Sequence, residues 1–174
     1  HGIVHCQITN PRILQGMKDQ DLLAYIQPVF IDLDMNTVEP AIGAHRMDKV
    51  YAWKSMLDMG IHTSGGSDAP VVSFDAMENI YFAVTRKNIS GQPQEGWIPS
   101  EKMSVDEAVK LFTKNAAYAS YTEEENGTIE VGKNADFVVL EKNIYEIDPD
   151  EIKATKVDMT VLGGEIVYER EVEE

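Results

Sequence analysis

The sequence holds one cysteine, Cys6, which excludes a disulfide framework within the chain. Basic residues are scarce: 15 Lys and Arg stand against 30 Asp and Glu, a formal net charge of −15. A field of that sign repels phosphate backbones and anionic lipid surfaces, which argues against nucleic-acid and membrane partners. No apolar run approaches the roughly 20 residues that span a bilayer. Internal repeats and Ser/Gly linkers are also missing, as are an initiator Met, a charged leader and a cleavage signal. His1 opens straight into Gly2-Ile3-Val4, which reads as a cut inside a longer protein. These absences predict a soluble, cytoplasmic protein, the location depending on whatever lies upstream.

What remains is a chain of 174 residues, long enough to bury a core of its own. Residues 2–8 form a short apolar run that suits a buried strand, and Asn10-Pro11 then caps and opens a helix of about three turns. A second strand is expected over Leu22–Ile26, and a long loop over 29–43, where Asp32, Asp34, Pro40 and Gly43 interrupt any periodicity. Met47, Val50, Tyr51, Met56 and Leu57 share one helical face, so the spacing predicts a helix over 44–59 ended by Gly60. Ile61–Gly66 follows as a strand, 75–86 as a helix, 87–103 as a Gly/Pro-rich loop, and Ser104 with Glu107 as the capping box of a helix reaching about Ser120. Alternating strands and helices are the signature of a parallel sheet with helical crossovers.

Beyond about residue 121 the pattern changes to short strands at 128–131, 137–140, 159–162 and 165–168, the last two joined by Gly163-Gly164. Asp148-Pro149 opens a short helix between them. The chain therefore divides into residues 1–121 and 122–174.

In parallel β/α barrels, functional side chains project from the C-terminal ends of the strands. His5 lies near the end of the first strand, and Asp68 follows the third after Gly65-Gly66-Ser67. Imidazole nitrogen and carboxylate oxygen both suit a borderline divalent ion such as zinc, and an aspartate there can also accept the proton of an attacking water. The bland alternative is a core histidine and an ordinary polar turn with a capping aspartate. Arg46, beside His45, could meet a substrate carboxylate or simply be a solvated helix-end charge. Arg86 could touch substrate or pair with a carboxylate. Trp97 could line a pocket or cover the core. His62 sits at the wrong end of its strand for chemistry, and Cys6, alternating with His5, is expected to be a packed side chain rather than a nucleophile.

Four runs carry a resemblance: Ile3-Val4-His5-Cys6-Gln7, Tyr25-Ile26-Gln27-Pro28, Gly65-Gly66-Ser67-Asp68-Ala69-Pro70-Val71 and Ala83-Val84-Thr85-Arg86. With Gly127 to Leu140 and Val161 to Tyr168, they resemble in order and spacing the last third of the amidohydrolase superfamily, nearest to amidohydrolase family 3, which includes predicted metal-dependent hydrolases and exoenzyme regulatory proteins. The resemblance implies an α/β fold: strands six to eight, with their helices, of a (β/α)8 TIM-type barrel, then strands of a small β-sandwich domain. It implies that His5 and Asp68 bind a divalent metal, zinc foremost, and that Asp68 is catalytic. It also implies hydrolysis of a non-peptide carbon–nitrogen bond in a small-molecule substrate. The family's remaining ligands have no counterpart here, so the chain alone is expected to be inactive. The rival reading is a non-catalytic regulatory or binding relative. Unprotected strand edges predict self-association or a homo-oligomer.

Overall fold

The computed structural model of the protein describes residues 1–171. Three parallel strands, β1 (Gly2–Val4), β2 (Leu23–Ile26) and β3 (Thr63–Gly65), lie side by side in chain order. Val4 pairs with Tyr25, and Tyr25 with Ser64, so the three C-terminal ends reach the same rim. Helix α1 (Pro11–Asp19) makes the first crossover, with the Asn10 side chain accepting from the Ile13 N–H and Pro11 in the first turn, as the sequence predicts.

The first strand departs from expectation in length and burial. It ends at Val4 because His5 (φ 71°) and Cys6 (φ 49°) turn left-handed, and as an edge strand it leaves Val4 57 % exposed. The expected alternation of His5 and Cys6 is lost with it.

The loop expected over 29–43 contains two short helices, α2 (Phe30–Asp34) and α3 (Val38–Ile42). The single helix expected over 44–59 is instead a 3-10 segment, Ala44–Lys49, then extended chain, then α4 (Trp53–Asp58). The apolar spacing was real, but Val50 and Tyr51 are buried by pairing with residues of another loop rather than by a helical face. Gly60, at φ 78°, stops α4 as predicted.

Helix α5 (Ala76–Thr85) is capped by Asp75, whose carboxylate accepts from the N–H groups of Met77 and Glu78, and ends at left-handed Arg86. It is buried nearly all round, with Ile80, Tyr81, Phe82 and Ala83 all under 10 % exposed. The capping box of Ser104 and Glu107 is present and opens α6 (Val105–Phe112). The chain breaks at Thr113 and resumes as α7 (Lys114–Ala119), so the one expected helix is two.

A second sheet is antiparallel: β4 (Phe137–Leu140), β5 (Val157–Leu162) and β6 (Glu165–Glu169) in chain order. Gly163 and Gly164, at φ 58° and 86°, make the hairpin turn that only such residues adopt cheaply. The strand expected at 128–131 is absent. Ile129 and Val131 stand exposed without a partner strand among the described residues, and Lys133 clasps the segment by donating to the Glu123 carbonyl and the Thr128 hydroxyl, both at 2.7 Å. Asp136 accepts from the Gly163 N–H at 2.6 Å, tying the hairpin tip back to the strand entry. The predicted short helix at Asp148-Pro149 is a 3-10 segment, Pro149–Ala154, whose Ile152 is fully buried. The last three residues of the 122–174 segment lie outside the described residues.

Candidate functional site

Each parallel strand delivers a polar residue to the rim just beyond its end: His5 after β1, Gln27 after β2, and Asp68 three residues after β3. β2 lies between the other two, so His5 and Asp68 leave from strands two spacings, roughly 10 Å, apart. Asp68 is exposed and left-handed at φ 62°, a conformation that a short polar side chain tolerates better than most.

His5 is held on three sides. Its Nδ1 lies 2.8 Å from the side-chain oxygen of buried Gln27. Its ring stacks on Phe30 with centroids 5.6 Å apart, and its main-chain N–H donates to the Tyr25 carbonyl at 2.7 Å. The indole N–H of Trp53 points at two carbonyls, that of His5 at 3.3 Å and that of Cys6 at 3.2 Å. Left-handed geometry at two successive non-glycine residues is costly, and these bonds over-determine it.

Trp53 belongs to a strap. Residues 49–53 run antiparallel to residues 5–9: Thr9 donates through its N–H and hydroxyl to the Lys49 carbonyl, Ile8 bridges Val50, and Tyr51 donates its N–H to the Gln7 carbonyl at 2.7 Å. Side chains repeat the link, since Gln7 donates to Asp34 at 2.9 Å and to the Tyr51 hydroxyl at 2.8 Å, and that hydroxyl donates to Asp34. Burial, reinforced by the hydrogen bond to Asp34 and its charge, pushes the Tyr51 phenol well above its ordinary range, so it remains a donor.

Arg86 lies behind this strap and is 1 % exposed. Its Nη1 donates to the Tyr51 carbonyl at 3.1 Å and its Nε to the Trp97 carbonyl at 2.7 Å, while its cation lies 5.9 Å from the Trp53 ring centroid and 5.4 Å from that of Trp97. Burial lowers its pKa to about 10, partly offset by the charge of Glu101. It therefore keeps its proton at neutral pH and turns Nε and Nη1 to the protein's own carbonyls rather than to the rim, while Nη2 is buried without a hydrogen-bond partner among the described residues.

The other sequence candidates are scattered. Arg46 is exposed, with its Nε against the His45 ring at 3.2 Å. Trp97 is half-buried, covering Arg86 and Tyr51 while lining a shallow hollow with Asn88 and Gln92. His62 stacks on Tyr118 at 4.0 Å, the structural role expected of it. Cys6 is buried, and burial pushes its thiol up to about 11, so it is no nucleophile at neutral pH. Among the described residues no group of three or more His, Cys, Asp or Glu side chains is placed to hold a metal ion.

Sequence reasoning did not find Gln27, Trp53 or the Gln7–Asp34–Tyr51 network. Gln27 carried one legible signal, a polar side chain directly after a buried strand.

The model of the amidohydrolase family matches residues 1–168. The chain belongs to this family. Among curated relatives in this family, YtcJ of Bacillus subtilis is 34 % identical over 168 residues, covering 97 % of this chain and 32 % of its own length. The N-substituted formamide deformylase of Arthrobacter pascens is 35 % identical over 122 residues, covering 70 % of this chain and 22 % of its own. The chain thus spans a third or less of the length of these relatives. A crystal structure of an uncharacterized metal-dependent hydrolase from Pyrococcus horikoshii superposes with a TM-score of 0.76 at 20 % identity, covering 85 % of this chain and 30 % of that one. An amidohydrolase from Thermotoga maritima superposes with a TM-score of 0.62 at 19 % identity, covering 91 % and 34 %. These likenesses show the fold: parallel strands with helical crossovers, followed by a separate antiparallel sheet.

Proposed function

We propose that the chain supplies part of the active site of a metal-dependent hydrolase that cleaves a non-peptide carbon–nitrogen bond in an amide, cyclic amide or amidine. On this reading β1 to β3 are strands six to eight of a (β/α)8 barrel, and 122–174 is a segment of a β-sandwich domain. The observation that carries it is the shared rim: His5 and Asp68 both follow the C-terminal ends of parallel strands, in a chain matched along 1–168 by the amidohydrolase family. The name of the Arthrobacter relative, a deformylase of N-substituted formamides, lies in the same bond class.

An imidazole with one nitrogen on an amide oxygen and an open carboxylate are donors that fit a borderline divalent ion, zinc before others. Two donors fall short of the three or four protein ligands such an ion takes, so the rest must come from outside these residues, and the isolated chain is inactive. When bound, the ion supplies the Lewis acidity that brings deprotonation of water close to neutral pH. Asp68 takes the proton of the attacking water and passes it to the leaving nitrogen. Arg46 and Trp97, both with exposed surface, are the side chains left to meet substrate; Arg86 acts from behind.

The encoded protein should carry a divalent metal and hydrolyse N-substituted formamides or related amides, and Asp68→Asn should lower kcat by about 10²–10⁴-fold. Undiminished turnover by Asp68→Asn, or turnover by residues 1–174 alone with added zinc, would show the assignment to be wrong.

The same reading leaves open edges. β1 and β3 bound one sheet and β4 and β6 the other, with Ile166 and Val167 each 58 % exposed. Between α5–α6 and the antiparallel sheet lies an apolar hollow of about 580 Å³, lined by Ile80, Phe112, Val138, Leu140 and Val161. Such surfaces favour self-association of the isolated chain.

A further inference from the structure

We infer that Gln27 is the positioning residue that sets the tautomer of His5, and so decides which imidazole nitrogen is left open at the rim. The inference rests on the proposed function only where that open nitrogen is assigned to a divalent cation; the tautomer stands on geometry alone.

Gln27 follows directly on Ile26, the last residue of β2, and is 6 % exposed. A buried amide is costly unless it is bonded, and this one has its oxygen 2.8 Å from His5 Nδ1. An amide oxygen can only accept, so Nδ1 must carry the proton. The neutral ring then keeps its lone pair on Nε2. An imidazole free in water exchanges between its two tautomers, whereas here the ring is fixed before any ligand arrives.

The surroundings allow little else. The Phe30 ring stacks on the imidazole at an interplanar angle of 29°, and the Phe30 N–H donates to the Gln27 carbonyl at 3.0 Å, so the acceptor and the stacking wall move as one unit. On the other side Trp53 holds the carbonyls of His5 and Cys6. Ring plane, backbone and tautomer are each determined by a different side chain. An outer partner of this kind orients a ligating histidine and raises its basicity.

The test is the two-bond ¹H–¹⁵N spectrum of the histidine rings in the ¹⁵N-labelled chain at about pH 8, where an ordinary imidazole with a pKa near 6.5 is neutral. The His5 pattern is assigned by its loss in His5→Gln. The parent and Gln27→Glu, which retains an oxygen acceptor, should show the proton on Nδ1; Gln27→Leu should move His5 toward the Nε2–H pattern. A parent spectrum with the proton on Nε2 would mean that the amide is turned round, and the inference fails on that spectrum alone even if Gln27→Leu does not fold. An unchanged tautomer in folded Gln27→Leu also defeats it. In the encoded protein, zinc affinity should fall about 10–100-fold in Gln27→Leu and recover in Gln27→Glu. A tautomer that follows Gln27 together with a zinc affinity that does not would support the positioning role and overturn the metal reading of His5.

Discussion

Arg86 donates through Nη1 to the main-chain carbonyl of Tyr51 at 3.1 Å, across 35 residues of sequence, and so anchors the strap that holds His5. The cation sits against the same Trp53 whose indole N–H grips the His5 and Cys6 carbonyls. Support therefore passes from α5 through the strap to the rim by direct contacts.

Replacing Arg86 should damage the fold first and the site second. Arg86→Ala leaves two carbonyls without their donor and a void between two indoles, a loss on the order of 3 kcal/mol by urea unfolding. Arg86→Lys should recover only part of this, because an ammonium lacks the planar fork. If Arg86→Ala retained parental stability and lost only substrate affinity, Arg86 would be a substrate ligand after all.

Trp53→Phe removes one N–H and keeps most of the ring. It should cost about 1–2 kcal/mol. Amide hydrogen exchange should also quicken selectively over residues 5–9, where the turn loses its clamp. Uniform exchange across the chain would show that the indole N–H has no local role.

Cys6 should resist alkylation. Its thiol is pushed from 9 up to about 11 by burial, so at pH 8 the thiolate is roughly 0.1 % of the population, against about 10 % for an unshifted group. The native chain should react with iodoacetamide about a hundredfold more slowly than the urea-unfolded chain. The folded state holds this proton more tightly than the unfolded state, so its contribution to stability is complete below pH 9 and lost as pH rises toward 11. Cys6→Ala should remove that component of alkaline destabilisation; equal alkaline loss in parent and variant would contradict it.

The isolated chain should self-associate. Light scattering should give an apparent mass that rises with concentration, and a Lys placed at Val167 on β6 should reduce it. A monomer at high concentration in the parent chain would count against pairing through the open edges.

What the sequence determined by itself was local. Asn10 with Pro11, Asp75, Ser104 with Glu107, and Gly163-Gly164 each act within a turn of chain, so their roles follow from residue type and short spacing alone. Even His5 and Asp68 were legible as strand-end positions. Tertiary structure decided the rest. Val50 and Tyr51 read as a helical face and became a strap because residues 5–9 supply the pairing partners. Val131 read as a strand and became exposed loop for want of a neighbour. Arg86 read as a substrate contact or a carboxylate's partner and became an internal brace on two carbonyls, and Gln27 had no visible role until the fold set its oxygen against an imidazole 22 residues away. The division has a physical reason: caps and turns close hydrogen bonds over two to four residues, whereas the contacts His5–Gln27, Tyr51–Arg86 and His5–Trp53 span 22, 35 and 48, where only the packed fold brings the partners together.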